Sequence, residues 1–281
     1  MQRFCDLHTH SCFSDGSFTP AELIAMAKEA ELSALALCDH NAADGLPDFL
    51  AAAEGSGIEA VPSVEFSVDF EGEELHLIGM FIDKEYFPIV NEKMAEMQKR
   101  KEKSNIDLIA SLAASGVSLD YDYIKSQTPN GRVNRAHIAA ELMRVGYTES
   151  IREGFATFLS PLFGHYKEPK RFSFFEMVDF IKSIKAVPVV AHPFLILTAD
   201  TVREFLPLAK KAGLVGLECY HSLYDESTMK LSLELAEEYG FLPSGGSDFH
   251  GTNKPNIKIG VGKGNLRVPY EWYEALRAAK P

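Results

Sequence analysis

Two short pairs stand near the ends of the chain, His8-Thr9-His10 and Asp248-Phe249-His250. Side chains two positions apart lie on the same side of an extended segment, so each pair can close on one ion. Between them come Asp15, Asp39-His40, Glu65, His76, His192, and Glu218 with His221. Imidazole and carboxylate together form the ligand set suited to zinc, manganese or iron. A single His-x-His is as often structural as metal-binding. Two such pairs, with further histidines and carboxylates in matching settings, point to a shared centre.

Bringing these residues together is a task for the elements that carry them. Each group follows or falls within a short apolar run: 3–7, 34–38, 59–64, 75–80, 187–191, 216–219 and 242–245. Nearly continuous apolar runs of this length read as strands covered on both faces, and amphipathic patterns separate most of them. Thr19-Pro20-Ala21-Glu22 opens one such helix, with an N-cap threonine, a proline in the first turn and a glutamate three residues after the cap. Alternating strands and helices predict a parallel α/β fold, and seven or eight units can close into a barrel whose strand ends converge on one face. The rhythm stops between 99 and 169, where helical patterns at 134–145 and 150–159 occur without a strand. A long helix over 87–114 leads into this stretch. The expected organisation is therefore a barrel from 1–98 and 170–281 with a helical subdomain, 99–169, inserted into it.

Composition excludes several classes. The chain has 281 residues, 46% of them hydrophobic, and a formal charge of −12, which argues against a broad surface for gripping long duplex nucleic acid. Nucleic-acid substrates are expected to be small or bound by an end. The four cysteines form no CxxC pair, and those inside apolar runs read as ordinary buried thiols. With no signal-peptide pattern and no run of membrane-spanning length, a soluble cytoplasmic protein without membrane contact is expected.

The ordered segments Asp6-Leu7-His8-Thr9-His10 with Ser14-Asp15-Gly16, Cys38-Asp39-His40, Ser63-Val64-Glu65, Leu75-His76-Leu77, Val190-Ala191-His192-Pro193 and Gly246-Ser247-Asp248-Phe249-His250-Gly251 resemble the motifs of the PHP family, the polymerase and histidinol phosphatase domain. The resemblance implies a distorted (β/α)7 barrel holding three divalent ions of manganese, zinc or iron, and a phosphoesterase activity. By motif matching, His8, His10, Glu65 and Asp248 would hold one ion. Glu65 would bridge to a second held by His76 and His192, and Asp15, His40 and His250 would hold the third. His8 and His192 must then lie within about 10 Å of each other, because ligand bonds are only about 2.0–2.3 Å long.

The short turn at Phe13-Ser14-Asp15-Gly16 and the helical insertion are similar to those of the small stand-alone members that act on nucleotides. In that subgroup the 3′-phosphate of 3′,5′-bisphosphonucleotides is removed, or short RNA is trimmed from its 5′ end. Arg135, His137 and Ile138 resemble a phosphate-binding motif of the insertion, which is expected to fold over the barrel mouth as a lid. Arg132, His165 and Lys167 are further substrate-binding candidates, and His221 and Asp39 are candidates to assist the leaving oxygen. The sequence departs from the subgroup at 164–172, which is basic and aromatic here, near Lys185-Ala186, where a glycine pair is usual, and at Asn41, where aspartate is common. The alternatives are a histidinol-phosphate phosphatase, a catalytically silent PHP module that only binds, and a non-phosphate hydrolase of the wider amidohydrolase-like barrels. No lysine follows a middle strand where that last class would need it.

Overall fold

Helix α1 (Pro20–Glu29) begins where its capping signals place it. Thr19 accepts from the Glu22 amide while the Glu22 carboxylate accepts from the Thr19 amide at 2.8 Å. The computed structural model describes residues 2–128, 133–165 and 171–281. The chain divides into two compact units, 1–92 with 172–281, and 93–171.

The larger unit holds two sheets. In the first, β1 (Phe4–Thr9), β2 (Ala34–Leu37) and β3 (Glu59–Pro62) are parallel, and β9 (Val268–Pro269) pairs antiparallel with β1. In the second, the order is β4 (Val64–Phe70), β5 (Glu73–Met80), β6 (Val187–Ala191), β7 (Gly216–His221) and β8 (Leu242–Gly246). Here β6, β7 and β8 are parallel, whereas β5 runs antiparallel to both β4 and β6. Helices α2 (Leu46–Ala53), α7 (Phe174–Ser183), α8 (Ala199–Ala212), α9 (Glu226–Tyr239) and α10 (Tyr270–Ala278) complete this unit.

The architecture is mixed α/β, and among the described residues the strands form two sheets and not one continuous hydrogen-bonded ring. The expected third strand is in fact two. Pro62, which has no amide to donate, ends β3, and after Ser63 the chain starts β4 in the other sheet. A tight turn at Glu71 and Gly72, with φ of 53° and 91°, then reverses the chain into β5. This reversal places His76, near the start of β5, beside Ala191 at the end of β6. An antiparallel strand thus delivers its ligand candidate to the same edge as its parallel neighbours.

The seams between the sheets are joined at that edge. The Asn41 amide donates to the Glu65 carbonyl at 2.9 Å, the Asp248 amide to the His8 carbonyl at 2.9 Å, and the His10 amide to the Phe249 carbonyl at 2.9 Å. Alternate residues from both sheets, among them Leu7, Ala36, Ile78 and Val189, pack into one core with Tyr273 and Leu276 of α10.

In the smaller unit lies most of α3 (Phe87–Ala114), which has the bounds read from sequence, followed by α4 (Tyr121–Ser126), α5 (Arg135–Arg144) and α6 (Ile151–Ala156). It has its own core, including Leu108, Leu112, Ile138, Leu142 and Leu159. Among the described residues, no helix is long and apolar enough to cross a membrane.

Close approach of β8 to β1 demands a glycine at 246, where a Cβ would sit 2.4 Å from both the Cβ and the backbone nitrogen of His8. Gly246→Ala is expected to cost at least about 1–3 kcal/mol of stability through overpacking. A thermal melt checks this, and an unchanged midpoint would contradict the close contact of the two strands.

Candidate metal centre

Glu65 lies at the start of β4 with its side chain 0% exposed, and five imidazoles converge on it. Its Oε2 is 3.3 Å from His8 Nε2, 3.3 Å from His10 Nε2 and 3.1 Å from His40 Nδ1. Its Oε1 is 2.9 Å from His76 Nδ1 and 3.0 Å from His192 Nε2. The two oxygens therefore face different sets of nitrogens. His8 and His192, expected to be neighbours, stack with ring centroids 5.5 Å apart.

Asp248 adds a second carboxylate. Its Oδ1 is 3.3 Å from His10 Nε2 and 3.9 Å from His8 Nε2. Asp15, half-exposed at the rim, brings Oδ2 to 3.2 Å from His250 Nε2 and 3.8 Å from His40 Nε2. The nine residues singled out as ligands thus meet in one region. Among the described residues, donor atoms within 4.8 Å of one another occur in four groups: His10, Asp15, His40 and His250; His8, His10 and Glu65; His40, Glu65 and His76; and His8, His192 and Glu218. The groups share members, so His10 and His40 are not tied to a single set.

The donor set fits divalent cations on a physical criterion. His8 Nε2, both ring nitrogens of His10, His192 Nδ1 and Glu65 Oε2 are buried and make no hydrogen bond. Unpaired buried polar atoms are costly, and a cluster of them aimed at one another asks for a cation. Burial pushes His10 down to about 3, so it stands as a neutral lone-pair donor. Burial alone would raise Glu65, but the neighbouring imidazoles outweigh it and hold the carboxyl well below its ordinary range. Asp248 is lowered in the same way, against burial, by His10 and His221. In His76 the Glu65 carboxylate overcomes burial and raises the ring to about 10.

Glu218 in β7 was legible as a strand-end carboxylate but not as the support it provides. Its Oε1 lies 2.9 Å from His8 Nδ1, and its Oε2 accepts the His192 amide at 2.7 Å. That bond turns His8 Nε2 toward Glu65, the arrangement by which an outer carboxylate orients a ligating histidine.

Two expected leaving-group assistants occupy other positions. Asp39 is fully buried, and its oxygens accept from the Ser11 amide at 2.7 Å, the Ser11 hydroxyl at 2.6 Å and the Ser14 hydroxyl at 2.7 Å. It pins the loop that presents Asp15. His221 is also fully buried, with Nε2 3.3 Å from Asp248 Oδ2 and Nδ1 accepting the Leu223 amide. It touches Asp248 and does not reach the open rim.

The candidate substrate contacts belong to the smaller unit. Arg135 opens α5, with its guanidinium 6.0 Å from the Phe155 ring. His137 closes the N-terminal cap of the same helix, its Nδ1 accepting the Asn134 amide at 3.1 Å. His165 Nδ1 is 3.0 Å from the Ser111 hydroxyl. Arg132 and Lys167 lie outside the described residues. Lys254, which no sequence signal marked, sits 2.6 Å from Asp248 Oδ2.

A buried carboxylate ringed by imidazoles at the strand edge of an α/β fold has the make-up of a centre for divalent metal ions. Comparison with known proteins refines the class. The PHP domain matches residues 6–110. A 3′,5′-nucleoside bisphosphate phosphatase of Chromobacterium violaceum is 31% identical over 260 residues, covering 91% of this chain and 90% of that protein. A 5′-3′ exoribonuclease of Haemophilus influenzae is 28% identical over 251 residues, covering 89% and 91%. Among solved structures, an amidohydrolase from Chromobacterium violaceum with bound sulfate and no metal aligns with a TM-score of 0.71 at 28% identity, over 98% of this chain and 96% of that one. The chain belongs to the PHP family.

The shifted groups set the acid-base behaviour of protein stripped of ions. His10, neutral when folded, takes a proton in the unfolded chain below about 6.5, so its contribution is lost as pH falls from there toward 3. His76 is protonated when folded, and its contribution is lost as pH rises from about 6.5 through 10. Melts in chelator should therefore peak near neutrality, and His76→Gln should flatten the alkaline limb. An alkaline limb unchanged in that variant would refute the assignment to His76.

Proposed function

We propose that this protein is a metal-dependent phosphatase acting on small phosphorylated nucleotides, removing the 3′-phosphate of a 3′,5′-bisphosphonucleotide, with short 5′-phosphorylated RNA as a related substrate. The observation that carries the reading is Glu65. Each of its oxygens faces a separate set of imidazoles, as a carboxylate shared by two ions would. The names of the two curated relatives support the substrate class, since one acts on nucleoside bisphosphates and the other on RNA.

In this reading, His8, His10, Glu65 and Asp248 hold one divalent ion, Glu65, His76 and His192 a second, and Asp15, His40 and His250 a third. Manganese, iron and zinc are the cations this set favours. Bound there, the ions would neutralise the phosphate oxygens and bring the pKa of an attacking water toward neutrality. The chain's own work is to fix the donors. Glu218 orients His8, Asp39 holds the loop of Asp15, and the seam bonds of Asn41 and Asp248 keep the two sheets' ligands in register. The common core and these seam bonds favour regarding the two sheets as a distorted seven-unit barrel opened along its seams. Arg135, His137 and His165 of the smaller unit would bind the phosphate that is not cleaved. A cytoplasmic location fits a substrate of this kind.

Phosphate release with added manganese, from a panel of 3′,5′-bisphosphonucleotides, mononucleotides, histidinol phosphate and short 5′-phosphorylated RNA, tests the proposal. The bisphosphonucleotide is expected to lead, and preference for histidinol phosphate would overturn the assignment. Asp248→Asn keeps the side-chain shape and removes one charge. It should lower kcat by at least about a hundredfold, roughly 2.7 kcal/mol of transition-state stabilisation, without unfolding the protein. Arg135→Ala should raise KM for the bisphosphonucleotide more than for a simple aryl phosphate. Equal losses on both would remove Arg135 from recognition of the second phosphate.

A further inference from the structure

The two oxygens of Asp248 have different environments. Its Oδ1 faces His8, His10 and His250, with His8 Nε2 and His10 Nε2 making no hydrogen bond. On the other side, Oδ2 meets Lys254 Nζ at 2.6 Å and His221 Nε2 at 3.3 Å. The Leu223 amide donates to His221 Nδ1. Neutral imidazole can accept at one nitrogen only, so the proton sits on Nε2 and points at Asp248. Two N–H donors therefore converge on one carboxylate oxygen.

The segment bearing Lys254 is held in place. Residues Gly251–Asn253 form a 3₁₀ turn. The Thr252 amide donates to the Ser17 hydroxyl at 2.8 Å, and the Asn253 side chain donates to the Asp15 carbonyl at 2.8 Å. Gly251, at φ 66°, allows this contact, since a Cβ there would lie 2.1 Å from Ser17 Oγ. The turn is thus tied to the loop that carries Asp15, and Lys254 reaches Asp248 from a fixed base. The aspartate side chain is 8% exposed and the lysine 38%, which makes the pair more than a solvated surface bridge.

We propose that Lys254 is a positioning residue which, together with His221, captures Asp248 Oδ2 and leaves Oδ1 alone to face the metal centre. A carboxylate held in this way is a one-oxygen ligand with a fixed direction. Freed from the clamp, it could rotate and chelate with both oxygens, changing the coordination number of its ion. The inference rests on the metal-binding part of the function proposed above.

Cobalt(II) supplies a direct readout, because its visible absorption intensity changes with coordination number and geometry. Parent, Lys254→Arg and Lys254→Met would be loaded with cobalt, their spectra recorded, and kcat and KM measured on the best ester of the panel. Lys254→Met is expected to change the visible band intensity by at least about twofold and to lower kcat about tenfold with KM nearly unchanged. Lys254→Arg, which keeps a cation and donors, should restore the parent spectrum and most of kcat. A parental spectrum and kcat in Lys254→Met would overturn the inference. So would a raised KM with an unchanged spectrum, which would mean that the lysine contacts substrate instead of Asp248. If cobalt-loaded parent hydrolyses none of the esters, the proposed activity falls, while the role of Lys254 stands or falls on the spectra.

Discussion

A fully buried carboxylate cannot stand alone in a protein interior, and Glu65 governs the arrangement of everything near it. Removing an ionised carboxylate from water costs several kcal/mol even after relaxation, so positive charge or strong donors must answer it. Here His76 and His192 bond one oxygen, and the other faces His8, His10 and His40 without a hydrogen bond. Imidazoles from β1 and its end, the end of β2, β5 and the end of β6 thus converge on one carboxylate. Their convergence requires two sheets to meet at one edge. The chain supplies that meeting through Pro62 and Ser63, which end one strand and begin another, and through Asn41. At φ 50°, Asn41 uses its side chain to accept the Ser67 amide and to donate to the Ser67 hydroxyl, locking the start of β4 against the end of β2.

Behind the centre lies a second tier of buried acids whose work is geometrical. Asp6 accepts from the Ser247 amide and hydroxyl, the Gly260 amide and the His8 amide, tying β1 to the segment that carries Asp248. Asp39 does the same for the Asp15 loop, and Glu218 for His8 and His192. Each satisfies its oxygens with protein donors, which separates these residues from Glu65, whose Oε2 makes no hydrogen bond. The separation sorts the acids within one site: those whose oxygens are satisfied by amides, hydroxyls or, for Glu218, the Nδ1 of His8 hold the frame, and Glu65 faces unpaired nitrogens.

The frame also stores backbone strain where candidate ligands leave the strands. His192 at φ 29° and Asp248 at φ 55° both lie in the left-handed region, which non-glycine residues adopt at a cost. Each is held there by a specific bond, the His192 amide to Glu218 and the Asp248 amide to the His8 carbonyl. Such positions direct side chains that a regular strand or helix would aim elsewhere.

The sequence by itself determined the α/β alternation, the bounds of α3, the capped start of α1 and the residue types of the centre, because periodicity, capping and ligand chemistry are local properties. It also showed that the stretch after 99 breaks the pattern, since a run of helices without strands is visible in hydrophobic spacing alone. Strand direction was another matter. Nothing in the Leu75-His76-Leu77 run tells an antiparallel strand from a parallel one, and only the pairing of His76 with Ala191 decided it. The contacts of Asp39, His221, Glu218 and Lys254 were likewise decided by tertiary structure. Whether a carboxylate or imidazole faces an ion, a hydroxyl or a lysine depends on neighbours far away in sequence, as Glu218 lies 210 residues from His8.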